Sequence, residues 1–125
     1  MATGRAARDD LRMQQTPSQQ ITAAVTSWPG VTAGPGRRGE FAFKLGGREL
    51  GHLHGDHAAH FSFPKDVWHE LFAQGRVSYH PVFPDREGPA SRRIEGEDDV
   101  RDVIELMRLN YDRIVSRHGV PQAAA

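Results

Sequence analysis

The chain has no cysteine, which excludes disulfides, thiolate metal ligands and a cysteine nucleophile. It also has no net charge, because 16 Lys and Arg balance 16 Asp and Glu, so no overall field favours nucleic acid or an anionic membrane. No apolar run approaches the length of a membrane span, and residues 1–15 lack the hydrophobic centre of a signal peptide. These absences predict a cytoplasmic protein that binds neither nucleic acid nor membrane.

Aromatic residues are also scarce, at 8% of the chain, and most of them lie between Phe41 and Phe83. This clustering predicts that the core is formed by the middle of the sequence. The polar residues 1–15 are predicted to be a disordered extension, residues 16–118 a single domain, and residues 119–125 a flexible tail.

The most informative stretch that is present runs from Gly46 to Asp56, with the sequence GGRELGHLHGD. His52, His54 and Asp56 occupy alternate positions, and residues two apart in a strand point to the same face. Burying such a group for packing alone is costly, so the pattern indicates a site for proton transfer, metal binding or oxyanion contact. An alternative is that Asp56 caps the turn and one histidine is an interior hydrogen-bonding residue.

The hydrophobic pattern predicts an α+β fold, a two-layer sandwich with a mainly antiparallel sheet and helices packed on one face. The predicted order is α-β-β-β-α-β-β-α. The helices are expected at residues 16–28, 64–74 and 97–118, the strands at 40–45, 48–54, 61–63, 77–82 and 90–94, and a loop at 31–39.

A hairpin turn at Gly46 and Gly47 would set the register of the two strands beside it. In that register Phe43 lies opposite Leu50 and Phe41 lies opposite His52. The histidines would then share a face with the aromatic residues, in apolar surroundings that favour the neutral imidazole. His80 could approach the same face if its strand joins the same sheet.

The predicted site follows from these positions, and its chemistry has three alternatives. A neutral histidine oriented by Asp56 is a general base, several imidazoles with a carboxylate can hold zinc or iron, and a histidine beside an aromatic wall can bind a phenolate or enolate. His57, His60 and His69 are expected to be solvated, and His118 to lie at a helix end. The candidate catalytic residues are His52, His54, Asp56 and His80; the candidate substrate-binding residues are Phe41, Phe43, Arg48, Tyr79 and Arg92.

The same residues resemble a known family. The run from Gly47 to Asp56, followed by Phe63-Pro64, His80-Pro81 and the helix that begins at residues 97–100, resembles the luciferase-domain family of small bacterial proteins. The chain departs from the pattern at residues 87–93, and it has Tyr79 where the first of a histidine pair is expected. A weaker, topological similarity relates the order of elements to the MmcQ/YjbR family of small α+β proteins.

The resemblance implies an activity. The fungal luciferase domain oxidises a hydroxylated pyrone with molecular oxygen and is thought to need no metal or organic cofactor. By carry-over, His52, His54, Asp56 and His80 would line a pocket and deprotonate an enolisable or phenolic substrate of secondary metabolism, with no cofactor expected. Two alternatives are kept: a metal-dependent hydrolase or isomerase that uses one divalent ion such as Zn or Fe, and a non-catalytic binding module.

Overall fold

The computed structural model describes residues 15–121, so most of the predicted extension and part of the predicted tail lie outside the described residues. The described part contains three helices and six strands. In chain order they are α1 (Pro17–Val25), β1 (Val31–Pro35), β2 (Phe41–Leu45), β3 (Arg48–His54), β4 (Ala58–Ser62), α2 (Lys65–Ala73), β5 (Ser78–Tyr79), β6 (Pro89–Arg93) and α3 (Glu97–His118).

The six strands form one antiparallel sheet with the order β1-β2-β3-β4-β6-β5, which confirms the predicted α+β fold. The loop predicted at residues 31–39 is wrong in its first half, because β1 pairs along the whole of β2 and forms an edge of the sheet. Edge pairing tolerates the glycine and proline that made this segment look like a loop, since an edge strand needs its amides on one side only. The strand predicted at 77–82 is shorter than expected and ends before Pro81.

Local signals in the sequence define the ends of the helices. At the start of α1 the Thr16 hydroxyl accepts from the Gln19 amide at 3.2 Å, and the Gln19 side chain accepts from the Thr16 amide at 3.0 Å. At the start of α3 the Asp99 carboxylate accepts from the amides of Glu95 and Gly96. The helix ends at Gly119, which has a φ of 72°. None of the helices in the described range is long and apolar enough to cross a membrane.

All three helices contribute buried residues to one core against the inner face of the sheet. Three polar side chains fasten the helices and a nearby loop to this core. The Asn110 amide on α3 donates to the Leu50 carbonyl at 2.9 Å, the Tyr111 hydroxyl donates to the Pro29 carbonyl at 2.8 Å, and the Trp68 indole on α2 donates to the Pro89 carbonyl at 3.1 Å. Each of these bonds gives a main-chain carbonyl a side-chain donor.

An irregularity in β3 changes which side chains point outward. Phe43 lies opposite Gly51 and Lys44 lies opposite Glu49, so Leu50 is an extra residue in the ladder. Leu50 and Gly51 are both buried, as expected for a β-bulge that presents two successive residues to the core. Gly51 is required there, because a Cβ would lie 2.8 Å from the Phe61 ring and 2.9 Å from the Met107 sulfur.

Candidate histidine site

The bulge places the histidines of β3 on the face of the sheet opposite to the one predicted. His52 lies opposite Ala42 on β2, and Phe41 lies opposite Leu53. The register predicted from the Gly46-Gly47 turn is therefore wrong beyond Lys44, because the extra residue inverts the alternation for the rest of the strand. His52 and His54 share the outer face with Lys44, away from the rings of Phe41 and Phe43.

Four imidazoles meet on this outer face, and we call them the histidine cluster: His52, His54, His60 and His80. His60 lies directly opposite His52 across the β3–β4 pair. The ring of His60 is 5.3 Å from that of His52, 4.4 Å from that of His54 and 4.2 Å from that of His80. The predicted approach of His80 to the β3 histidines is thus what the structure shows.

His60 is the centre of the cluster and its most buried member, with 8% of its surface exposed. Burial lowers the pKa of His60 to about 4, and repulsion from the neighbouring imidazoles, that of His80 first, acts in the same direction. Burial also lowers the pKa of His80. His60 is therefore neutral at pH 7, and among the described residues its buried Nδ1 has no hydrogen-bond partner.

Hydrogen bonds give two cluster members opposite tautomers. The Nδ1 of His52 lies 3.0 Å from Oε2 of Glu49, and a carboxylate only accepts, so in neutral His52 the proton is on Nδ1 and the lone pair is on Nε2. In contrast, the Nδ1 of His80 accepts from the Val82 amide at 3.1 Å, so in neutral His80 the proton is on Nε2. In their neutral forms, His52 therefore offers a lone pair at Nε2, and His80 offers an N–H donor at Nε2.

Asp56 was expected to orient a histidine, but its carboxylate is hydrogen-bonded to Ser18 instead. Its Oδ1 accepts from the Ser18 amide at 2.9 Å, so the carboxylate helps to cap α1. Hydrogen bonding to Ser18 lowers the pKa of Asp56. The alternation of β3 ends at His54, and the turn that follows directs Asp56 toward the helix layer. Among the described residues, Glu49 rather than Asp56 is the carboxylate that contacts a histidine of the cluster.

The two predicted aromatic substrate contacts lie on the inner face. Phe43 is fully buried in the core, whereas Phe41 is about one third exposed. Phe41 and Leu53 line a mainly apolar cavity of about 570 Å³ beneath α1. The sheet separates this cavity from the histidine cluster, because Leu53 and its neighbours His52 and His54 point to opposite faces.

The other predicted substrate contacts do not join the cluster either. The ring of Tyr79 packs against Trp68 at 5.0 Å, beside α2. Arg92 forms ion pairs with Asp99 at 2.6 Å and Asp102 at 3.1 Å, which tie β6 to α3. Arg48 is exposed beside the hairpin turn. Tyr79 and Arg92 thus have structural contacts in the helix layer.

Sequence reasoning missed two members of the site, His60 and Glu49. His60 was expected to be solvated because it was assigned to a loop, but β4 begins at Ala58. A strand that returned directly after the turn at residues 55–57 would have placed His60 beside His52. Glu49 was missed because, without a bulge, Glu49 and His52 would point to opposite faces. The signal was Gly51, since an isolated glycine within a strand often marks a bulge.

The fold and the site define the class of protein: an α+β domain with an antiparallel sheet that carries a cluster of imidazoles on its outer face. A scan of family models matches the Luciferase domain at residues 47–110, just over half of the chain. The chain therefore belongs to the luciferase domain family, as the motif predicted. This membership suggests a small-molecule-binding or enzyme-like domain. Comparisons with curated proteins and with solved structures find no match.

Proposed function

We propose that the protein is an enzyme that removes a proton from an enolisable or phenolic small molecule at the histidine cluster. The observation that supports this most is the pair of opposite tautomers, with a lone pair on His52 Nε2 and a proton on His80 Nε2. A base and a hydrogen-bond donor side by side are the two groups that forming an enolate requires.

The proposed step uses a single substrate oxygen. One ring nitrogen from each of His52, His60 and His80 lies within 4.8 Å of the other two. We assign these positions to Nε2 of His52 and Nε2 of His80, and an oxygen at normal hydrogen-bond distance from both would bridge the gap. The hydroxyl proton passes to His52 Nε2, the electron pair stays on the oxygen, and the His80 N–H stabilises the resulting oxyanion. Glu49 stabilises the imidazolium that forms on His52.

The second half of the proposal concerns what the anion does next. An electron-rich enolate can transfer electrons to molecular oxygen, which forms a carbon–oxygen bond and a peroxide while the enolate carbon is oxidised. This sequence needs only the substrate and dioxygen, and it matches the cofactor-independent chemistry that the family resemblance implies. Buried, neutral His60 would support it by limiting the solvation of the anion.

The test combines tautomer assignment with turnover. Nitrogen-15 NMR of the imidazoles at pH 7.5 should show His52 protonated at Nδ1 and His80 protonated at Nε2. The enolate formed from the enol of a 1,3-diketone takes up deuterium at carbon, so a panel of 1,3-diketones should exchange these protons with D₂O faster than in buffer alone, and the most electron-rich hydroxypyrones should show dioxygen consumption. His52→Ala should lower either rate by about 100-fold or more, which is the usual contribution of a general base.

His57→Ala is the matched control, since it removes an imidazole from the neighbouring turn without touching the cluster. It should keep the parent rate. The proposal fails if His52→Ala and His80→Ala fold normally and retain both substrate binding and turnover. Binding without turnover in the parent protein would instead support the non-catalytic binding module.

A metal-dependent hydrolase or isomerase is the second candidate, because three ring nitrogens within 4.8 Å could converge on one divalent ion such as Zn or Fe. A carboxylate behind a histidine, as Glu49 lies behind His52, is also common at metal sites. His80 argues against it: to bind through Nε2 it would have to move its proton and give up the Val82 hydrogen bond. Elemental analysis of protein purified without a histidine tag separates the candidates, since a stoichiometric metal that His60→Ala removes would favour the second.

A further inference from the structure

A polar groove of about 650 Å³ lies on the outer face beside the histidine cluster, and we call it the loop groove. Its walls are the loop between β1 and β2, with Arg37 and Arg38, and the paired residues Lys44 and Glu49. Its floor includes the buried residue Ala42. Of the residues that line this groove, the proposed proton transfer uses only Glu49.

Cations outnumber carboxylates in the loop groove, which is lined by Arg37, Arg38 and Lys44 and by the two carboxylates of Glu40 and Glu49. Glu40 accepts from the Arg38 amide at 3.1 Å, and backbone hydrogen bonding lowers the pKa of Glu40, so this carboxylate is ionised and holds the loop. Glu49 is engaged with His52. Within residues 15–121, none of the cations of Arg37, Arg38 and Lys44 has a carboxylate oxygen within 4.0 Å.

The groove and the cluster are neighbours on the same face of the sheet. Ala42, on the groove floor, lies directly opposite His52 in the β2–β3 pair. Residues paired in this way have Cβ atoms roughly 4.5–5.5 Å apart. His52 and His54, when protonated, also lower the pKa of Glu40, as expected for groups that are close. A small molecule in the groove could therefore extend from the loop arginines to His52.

We infer that the loop groove binds an oxyanion group, a carboxylate or a phosphate, of the same small molecule whose acidic hydroxyl meets His52. This inference rests on the proposed function, and it narrows the substrate class to an anion-bearing enol or phenol. Arg37, Arg38 and Lys44 hold the anionic end, while His52 and His80 act on the hydroxyl. Arginine suits both oxyanions because its guanidinium donates two parallel hydrogen bonds.

The experiment compares three matched probes by NMR titration: 4-hydroxybenzoate, 4-hydroxyphenyl phosphate and the uncharged 4-hydroxybenzamide. We expect at least one anion to shift the signals of Arg38, Lys44 and His52, and the amide to leave those of Arg38 and Lys44 unchanged. A tighter carboxylate or a tighter phosphate assigns the source of the oxyanion. The double variant Arg38→Met/Lys44→Met should weaken anion binding about ten-fold, since two exposed charge contacts are lost.

Lys65→Met is the control, because it removes an exposed lysine at the start of α2, and it should bind the anions like the parent. His52→Ala separates the two hypotheses: the anions should still shift Arg38 and Lys44 while turnover is lost. A parent that binds the anions without any turnover contradicts the proposed function alone. The inference is overturned if neither anion shifts Arg38 and Lys44, if the amide binds as tightly as the anions, or if the double variant binds them like the parent.

Discussion

The two faces of the sheet differ in polarity, burial and titratable groups, although the same strands build both. The inner face is apolar and covered by three helices, and Leu53 on it is 1% exposed. The chain neighbours of Leu53, His52 and His54, point to the outer face. His52 is hydrogen-bonded to Glu49, and His54 is exposed. Stability is therefore concentrated on one face, and titratable groups with unfilled hydrogen-bonding capacity on the other.

This division implies that stability and chemistry can be changed separately along a single strand. A buried apolar side chain stabilises the fold through the area it removes from water and through close packing. A partly exposed imidazole contributes little to either, but its lone pair is available to a ligand. Neighbouring positions on β3 should therefore respond to substitution in opposite ways.

The largest expected contrast is between Leu53→Ala and His52→Ala. Leu53→Ala should lower the free energy of unfolding by about 2–5 kcal/mol, because it removes buried apolar contacts and enlarges the cavity beneath α1. His52→Ala should lower it by about 0–1 kcal/mol, since the His52 side chain is 22% exposed and makes one hydrogen bond. Urea denaturation of both variants measures the difference, and equal losses would contradict the separation of the two faces.

Acid should destabilise the protein through the outer face. The pKa of His60 is about 4 in the folded protein and about 6.5 when unfolded, so the unfolded chain binds the extra proton between these values. Stability that is present above pH 6.5 is lost as the pH falls toward 4, by about 3 kcal/mol in total. Below pH 4 this group adds no further loss.

The comparison variant for this prediction is His60→Leu, which keeps an apolar side chain of similar size at the buried position. Denaturation of the parent and His60→Leu with EDTA present, between pH 7 and pH 4, should give a smaller acid loss for the variant. The capping carboxylates Asp56 and Asp99 are in both proteins, so their contributions cancel in the difference. Parallel pH profiles would show that His60 is not held neutral by burial.

The role of the β3 bulge, which sets the residues that point to each face, can be tested at Gly51. A Cβ in Gly51→Ala would also approach the His60 carbonyl to 3.0 Å, so the strands must shift as well as the Met107 side chain. Overpacking of this kind costs about 1–3 kcal/mol, and the shift should move the imidazole signals of His52 and His60. Gly47→Ala is the control: a Cβ there meets nothing within 4 Å, so it should change neither stability nor those signals.

Much of the fold follows from short-range rules in the sequence. The capping box at Thr16, the acids that begin α3 and the paired glycines between β2 and β3 all predicted elements that the structure contains. These signals work because each depends on residues within one turn of helix or one hairpin. The same rules failed for β1, which was predicted to be a loop. Its strand conformation comes from pairing with β2 and not from its own composition.

The candidate site was less predictable because it depends on which residues of β3 point to which face of the sheet. His52, His54 and His80 were identified by residue type, and they do meet. Their surroundings were predicted on the wrong face, since a single extra residue at Leu50 reverses every position that follows. The same reversal hid the link from Glu49 to His52. Asp56 left the pattern because a strand's alternation does not continue through a turn.

The smallest predicted effect concerns the carboxylate behind His52. Glu49→Gln preserves the size of the side chain but can present an amide nitrogen to Nδ1 and no longer stabilises an imidazolium. We expect kcat/KM for proton abstraction to fall about ten-fold, or ~1.4 kcal/mol in the barrier, with little change in stability because Glu49 is exposed. Glu95→Gln, which alters an exposed carboxylate paired with Arg93, should leave the rate unchanged. A rate in Glu49→Gln equal to the parent's would mean that the His52 tautomer does not limit the reaction, and the base would then have to be sought in His54 or His60.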